Sequence, residues 1–319
     1  MGSPSFKISR QLPVTGNVME LMYHQMDYII HLIQPVEEID HEAVHEVRKS
    51  CKRVRAVLRL IRDDIGYSAY YRENHRFRDM SRLLSETRDY EALVHSLEYL
   101  RSREIDDKIS RVYSELSGSL VRSRDVALNE LKKDKKVFQQ IEKEIGEARK
   151  KINLFSFSSE NFEVILPGLV RTHKKWKQHF AVCLGEADEE MIHNLRKKSK
   201  YLMYHMQILK PVFPEIIRGY AGTLKKVSGD LGDHRDLFLL RQQVSGLTKN
   251  SYPKTLTDHI DASIDKEMND KLETAVRAGR YLYLEKSRPL MNRIHNYWKI
   301  YTDSGIPNQQ NPGNNLKIK

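Results

Sequence analysis

Val44-His45-Glu46-Val47-Arg48-Lys49-Ser50-Cys51-Lys52-Arg53-Val54-Arg55-Ala56-Val57-Leu58-Arg59-Leu60-Ile61-Arg62 decides how this chain is read. Two rows of equal spacing run through it. Val44, Val47, Cys51, Val54, Leu58 and Ile61, continued by Ile65, recur at steps of three and four, the pattern of a helix that buries one stripe. One position on, His45, Arg48, Lys52, Arg55, Arg59 and Arg62 repeat those steps and carry only basic side chains. At about 100° per residue the two rows occupy neighbouring arcs, so the cations border the packed seam instead of pointing straight away from it. Aligned like charges repel one another. An anionic ligand gives them a reason to persist.

Outward from this stretch the spacing of three and four continues almost throughout, and 15 glycines and 10 prolines are few for 319 residues. The expectation is an all-α protein with helices over 18–33, 41–65, 70–101, 106–153, 162–183, 189–209, 215–247 and 255–301, the last interrupted at Pro289. The segment 155–159, Phe-Ser-Phe-Ser-Ser, breaks the period and reads as a linker. The tail 305–319, rich in Asn, Gln, Pro and Gly, reads as disordered.

The decisive stretch has a second copy. His45-Glu46-Val47-Arg48-Lys49 recurs as His193-Asn194-Leu195-Arg196-Lys197, an offset of 193 − 45 = 148. Leu84-Ser85-Glu86-Thr87-Arg88-Asp89 recurs as Leu231-Gly232-Asp233-His234-Arg235-Asp236, an offset of 235 − 88 = 147. His31 and His179 are likewise 148 apart. Two similar helical halves follow, 1–154 and 155–304, ahead of the tail. In the second half the basic row reads His193, Arg196, Lys200, Met203, Gln207, Lys210, so it keeps its charge type in the first three places and should bind less strongly. The helix after each row adds cations, Arg72, His75, Arg76, Arg78 and Arg82 in one half and Arg218, Lys225 and Lys226 in the other, placed to wall the far side of a groove.

Lys and Arg number 54 against 43 Asp and Glu, a formal charge of +11, which favours polyanionic partners. Two cysteines, Cys51 and Cys183, lack the spacing of a zinc ribbon or a redox pair and suit a reducing, cytoplasmic setting. Residues 1–13 lack the apolar core of a signal peptide, and no apolar run reaches the length of a membrane span, so no membrane partner is expected.

The histidine-plus-basic-row motif in 44–55 and 192–200, with 84–89 and 231–236 similar to a Leu-Gly-x-x-Arg-Asp signature, resembles the CHAD domain family over about 18–301. Ser85 stands in place of the glycine in the first copy. The resemblance implies two four-helix bundles related by a pseudo-twofold axis and enclosing a basic channel that binds inorganic polyphosphate without cofactor, metal or catalysis. It also implies association with polyphosphate granules or polyphosphate-metabolising enzymes. Many members sit beside a triphosphate-processing CYTH domain, whose alternating-glutamate signature is absent, since Glu142 and Glu144 are followed by Gly146.

Read onto this chain, the ligand set is His45, Arg48, Lys52, Arg55, Arg59, Arg62, Arg78, Arg82 and Arg88 in the first half. In the second it is His193, Arg196, Lys197, Lys200, Lys225, Lys226 and Arg235, with Lys49, His31 and His179 as further candidates. Asp89 and Asp236 would orient cations. Arginine forks grip paired phosphate oxygens, and lysines act as point charges that tolerate a sliding register. Two rival readings remain open. His41-Glu42-Ala43-Val44-His45 fits the helical zinc-peptidase pattern, although the second copy keeps only His193 of the two histidines. Nucleic acid offers a similar backbone charge, but no Phe, Tyr or Trp interleaves with the His45 row to stack bases. A phosphohydrolase would need clustered carboxylates for Mg²⁺, which the motifs do not supply.

Overall fold

The computed structural model describes residues 2–248 and 252–303, leaving out the side chains of 86–89 and 245–248. Twelve α-helices and no strand occur among the described residues: α1 Val14–Leu32, α2 His41–Leu60, α3 Arg62–Ile65, α4 Tyr67–Leu83, α5 Ser85–Arg101, α6 Asp107–Lys133, α7 Lys135–Ile152, α8 Leu166–Val182, α9 Glu189–Leu209, α10 Pro214–Thr248, α11 Lys254–Tyr283 and α12 Ser287–Thr302. The expected tail, 305–319, lies outside them.

Local chemistry fixes most of the boundaries. Asp40 caps α2 by accepting from Ala43 N at 2.7 Å, and Asp188 caps α9 by accepting from Met191 N at 2.8 Å, so the two copies of the decisive helix start in the same way. Gly66, at φ +82°, supplies the left-handed residue between α3 and α4. Three helices expected from periodicity are each two helices, the first of them 41–65, which breaks at Ile61 between α2 and α3. The span 70–101 breaks at Leu84 (φ −111°, ψ 21°), and 106–153 breaks at Asp134, whose carboxylate accepts from Lys136 N and caps α7. The second-copy motif around Gly232 stays inside the unbroken α10.

Apolar residues gather into two cores that do not follow the division at 154/155. The larger is built by α1, α2, α4, α7, α8, α9, α12 and the first half of α10, with Leu128 of α6 and Ala275 and Leu282 of α11; the smaller joins Leu93 and Leu97 of α5, Val112 and Leu116 of α6, Leu240 of α10 and Ile264 of α11. Each core therefore draws on both copies of the repeat.

An N-terminal arm, residues 2–13, runs onto α9. Phe6 and Ile8 are buried, Ile8 N donates to Ile208 O at 3.0 Å, and Ser9 N donates to Asn17 Oδ1 at 2.6 Å. Among the described residues no helix is long and apolar enough to cross a membrane.

Candidate functional site: a cation-lined cavity between α2 and α9

Val44, Val47, Cys51, Val54, Leu58 and Ile61 are at most 2% exposed, so the apolar row of α2 is core as expected. The neighbouring row opens onto a cavity of about 340 Å³. From α2 it is lined by His45, Arg48, Lys49, Lys52 and Arg53; Lys200, Met203, Tyr204 and Gln207 of α9 and Lys225 of α10 close the other side. None of these is a carboxylate. Lys52 and Lys200, 200 − 52 = 148 apart, hold corresponding places in the repeat, and both line it. Arg48 is braced by Nη1 donating to Ser81 O of α4 at 2.9 Å. Lys49 Nζ lies 2.6 Å from Oε1 of Glu46, which is 7% exposed beside the cavity wall.

The cavity ends where the helices meet. His205 Nε2 donates to Ala56 O at 2.9 Å, and burial of that imidazole lowers its pKa to about 3, keeping it neutral. At and beyond this crossing the row leaves the cavity. Arg55 Nε donates to Asn74 Oδ1 at 3.1 Å. Arg59 lies 3.7 Å over the Tyr201 ring, and Arg62 sits 5.3 Å over Tyr67 and 5.4 Å over Tyr70. Aromatic rings thus do meet the basic row, brought by α4 and α9. This corrects the expectation of a row without aromatics, because the rings come from other elements.

His193 does not line the cavity. Burial first, then Lys197, Arg196 and Arg235, lower its pKa to about 4. Arg196 acts on both His193, which is thereby neutral near pH 7, and Lys200, so Arg196 stands between the His193 surroundings and the cavity. The Arg196 Nε is buried without a hydrogen-bond partner and lies 3.4 Å from where a Cβ on Gly232 would stand. Lys200 is open to water at the cavity mouth. Even so, burial, followed by Arg196, Lys49, Lys225 and Arg53, lowers its pKa to about 8, and all these causes act in one direction. A second group forms on another face of α9, where burial, Lys175, Arg59 and Lys197 lower Lys198 to about 8 and His179 is lowered by burial, Lys198, Lys175 and Lys197.

Other sequence-derived candidates lie elsewhere. Arg78 forks onto its neighbour Asp79 at 2.8 and 3.1 Å, Arg82 is exposed 3.4 Å from the same carboxylate, and Lys226 pairs with Asp230 at 3.3 Å. His31 is exposed near the end of α1. Arg235 lies 5.0 Å over Phe238, while Asp236 faces a small polar cavity with Tyr99 and Lys271. The side chains of Arg88 and Asp89 lie outside the described residues. His41 Nε2 is 3.4 Å from Asp125 Oδ1, and among the described residues no three His, Cys, Asp or Glu side chains gather as metal ligands. The sequence reading missed Arg53 and Tyr204 as wall residues; Arg53 sits off the strict row, and only its i+4 relation to Lys49 hinted at it.

Against known proteins, the CHAD domain family matches residues 25–245. Among solved structures the chain is similar to the CHAD domain from the plant Ricinus communis, at 14% identity and a TM-score of 0.61, covering 88% of this chain and 95% of that one. It is also similar to PptA from Streptomyces chartreusis, at 14% identity and a TM-score of 0.61, covering 86% of this chain and 100% of that one. No curated protein matches it.

Proposed function

The chain belongs to the CHAD domain family, and from that premise we propose that it binds inorganic polyphosphate in the cavity between α2 and α9, holding the polymer without reacting with it. One observation carries this: six Lys and Arg side chains (Arg48, Lys49, Lys52, Arg53, Lys200, Lys225) and His45 face one cavity whose lining has no carboxylate. Such crowding raises the energy of the empty site, and a string of phosphates relieves it while releasing its own counterions. Polyphosphate, an irregular flexible chain, suits mixed Arg forks and Lys point charges better than a rigid duplex does. The reading extends to attachment at polyphosphate granules or to partnership with polyphosphate-metabolising enzymes, in a cytoplasmic setting.

A titration with long-chain polyphosphate at several salt concentrations tests it. The logarithm of affinity should fall linearly with the logarithm of salt, with a slope of about −3 to −4 if four to six cations engage a flexible strand. Duplex DNA and single-stranded RNA at equal phosphate concentration should compete poorly. Equal competition by either would reverse the ranking in favour of nucleic acid, the reading to which the Arg62, Tyr67 and Tyr70 cluster lends weight.

The lowered Lys200 gives a second expected result. A bound polyanion restores the charged ammonium, so binding at a pH of about 8 takes up roughly half a proton, and affinity declines as pH rises from about 7 to about 9. Calorimetry in two buffers of different ionisation enthalpy measures the uptake. Lys200→Arg should abolish it while preserving binding; uptake unchanged in that variant would show that Lys200 is not its source.

A further inference from the structure

Arg53 is held differently from its neighbours in the cavity wall. Its Nη1 donates to Ser3 Oγ at 3.1 Å and to Gln25 Oε1 at 3.3 Å, and its guanidinium carbon lies 5.1 Å over the Phe6 ring. Among the described residues no carboxylate lies within ion-pair distance of it, and its Nε is buried without a hydrogen-bond partner. Two of these three holding groups belong to the N-terminal arm, which precedes residue 25, where the family match begins. The arm is itself anchored: Phe6 is 5% exposed and meets the cavity residue Tyr204 edge-on at 5.9 Å.

A guanidinium can be fixed by a carboxylate, which cancels its field, or by neutral acceptors and a ring face, which leave its charge intact. The arm supplies the second kind. We propose that the N-terminal arm is a working part of the polyphosphate site: Phe6 and Ser3 position Arg53 in the cavity wall through neutral contacts, so that its guanidinium is not tied to a carboxylate and its charge stays available to a bound phosphate. This rests on the polyphosphate reading above and adds a positioning element outside the matched region.

The test is a titration of end-labelled long-chain polyphosphate over a range of salt, with melting temperature recorded for every variant. Arg53→Gln should weaken binding about tenfold and make the salt slope shallower by about 0.7, the share of one phosphate contact. Phe6→Leu, which keeps apolar volume but removes the ring, should weaken it about three- to tenfold at near-parent melting temperature, since the contact survives less well placed. Phe6→Trp should bind like the parent. The double variant Phe6→Leu/Arg53→Gln should be no weaker than Arg53→Gln alone, because both act on one contact. Parent-like binding by Phe6→Leu, or losses that multiply in the double variant, would overturn the proposal. If Phe6→Leu does not fold, deletion of residues 2–4 replaces it: a loss that vanishes in the Arg53→Gln background supports the arm, and no loss in the parent background overturns it. Failure of the parent itself to bind would sink the polyphosphate reading, a result distinct from failure of the arm.

Discussion

Arg48→Ala/Lys52→Ala/Lys200→Ala binds long-chain polyphosphate about a thousandfold more weakly than the parent near physiological salt, with a salt slope shallower by about 2. All three side chains line the cavity. Each contributes a charge-assisted contact worth about 1.5–3 kcal/mol when desolvated, and solvent at the mouth reduces that to about a factor of ten apiece. The slope change follows from three contacts at about 0.7 each. The informative control is Arg78→Ala/Arg82→Ala/Lys226→Ala, which removes the same net charge from side chains already paired with Asp79 or Asp230 outside the cavity. It should cost no more than a few-fold, through the general field alone. Equal losses in the two triple variants would mean that diffuse positive charge, and not this cavity, attracts the polymer.

The contrast between those variants marks what could be read from residue order. Apolar and basic rows on α2 are visible because a helix has a fixed angular period, and the buried stripe from Val44 to Ile61 follows it. The second copy marks Lys200 as the partner of Lys52 from residue order alone. Where the basic row stops being a site is another matter. Arg55 and Arg59 continue the period of His45, Arg48 and Lys52, but α9 crosses at Ala56, and Asn74 and Tyr201 cover what lies beyond. A crossing point is set by two helices together, so neither sequence stretch encodes it alone. Local propensity also misleads at the paired motifs: the copy with glycine stays helical in α10, while the copy with Ser85 follows a break. Gly232 lies beneath the Arg196 guanidinium, with a Cβ there standing in ordinary contact at 3.4 Å, so packing alone does not require the glycine.

Gly168→Ala is expected to destabilise the fold by about 3 kcal/mol or more, among the largest single-residue effects in the protein. A Cβ at this position would stand 2.0 Å from Leu60 O and 2.6 Å from Leu60 C. Those atoms end α2, so relief requires moving backbone that also carries the cavity wall. The joint has little slack, because Arg171 Nη2 of α8 donates to Arg59 O at 2.7 Å and the same side chain ion-pairs with Asp63. Gly279→Ala gives the comparison. Its Cβ would meet Phe180 Cε2 at 2.2 Å, a side-chain ring that can tilt, and the expected cost is about 1–3 kcal/mol. Urea denaturation with unchanged m-value measures both. A Gly168→Ala variant within about 1 kcal/mol of the parent would show that α8 does not press on the end of α2 as closely as described.

The unbroken α10 has a mechanical meaning. Its 35 residues make a rod of about 50 Å, rooted at one end in the larger core beside Lys225 and at the other in the smaller core. The α4–α5 path between the same two cores is jointed at Leu84, while α6 runs unbroken from Leu116 in the smaller core to Leu128 in the larger. Torque applied at the Lys225 end passes along a stiff strut, whereas displacement on the α4 side is absorbed at its joint. Strain from a tethered polymer held beside Lys225 would therefore travel along α10 and not through the α4–α5 joint.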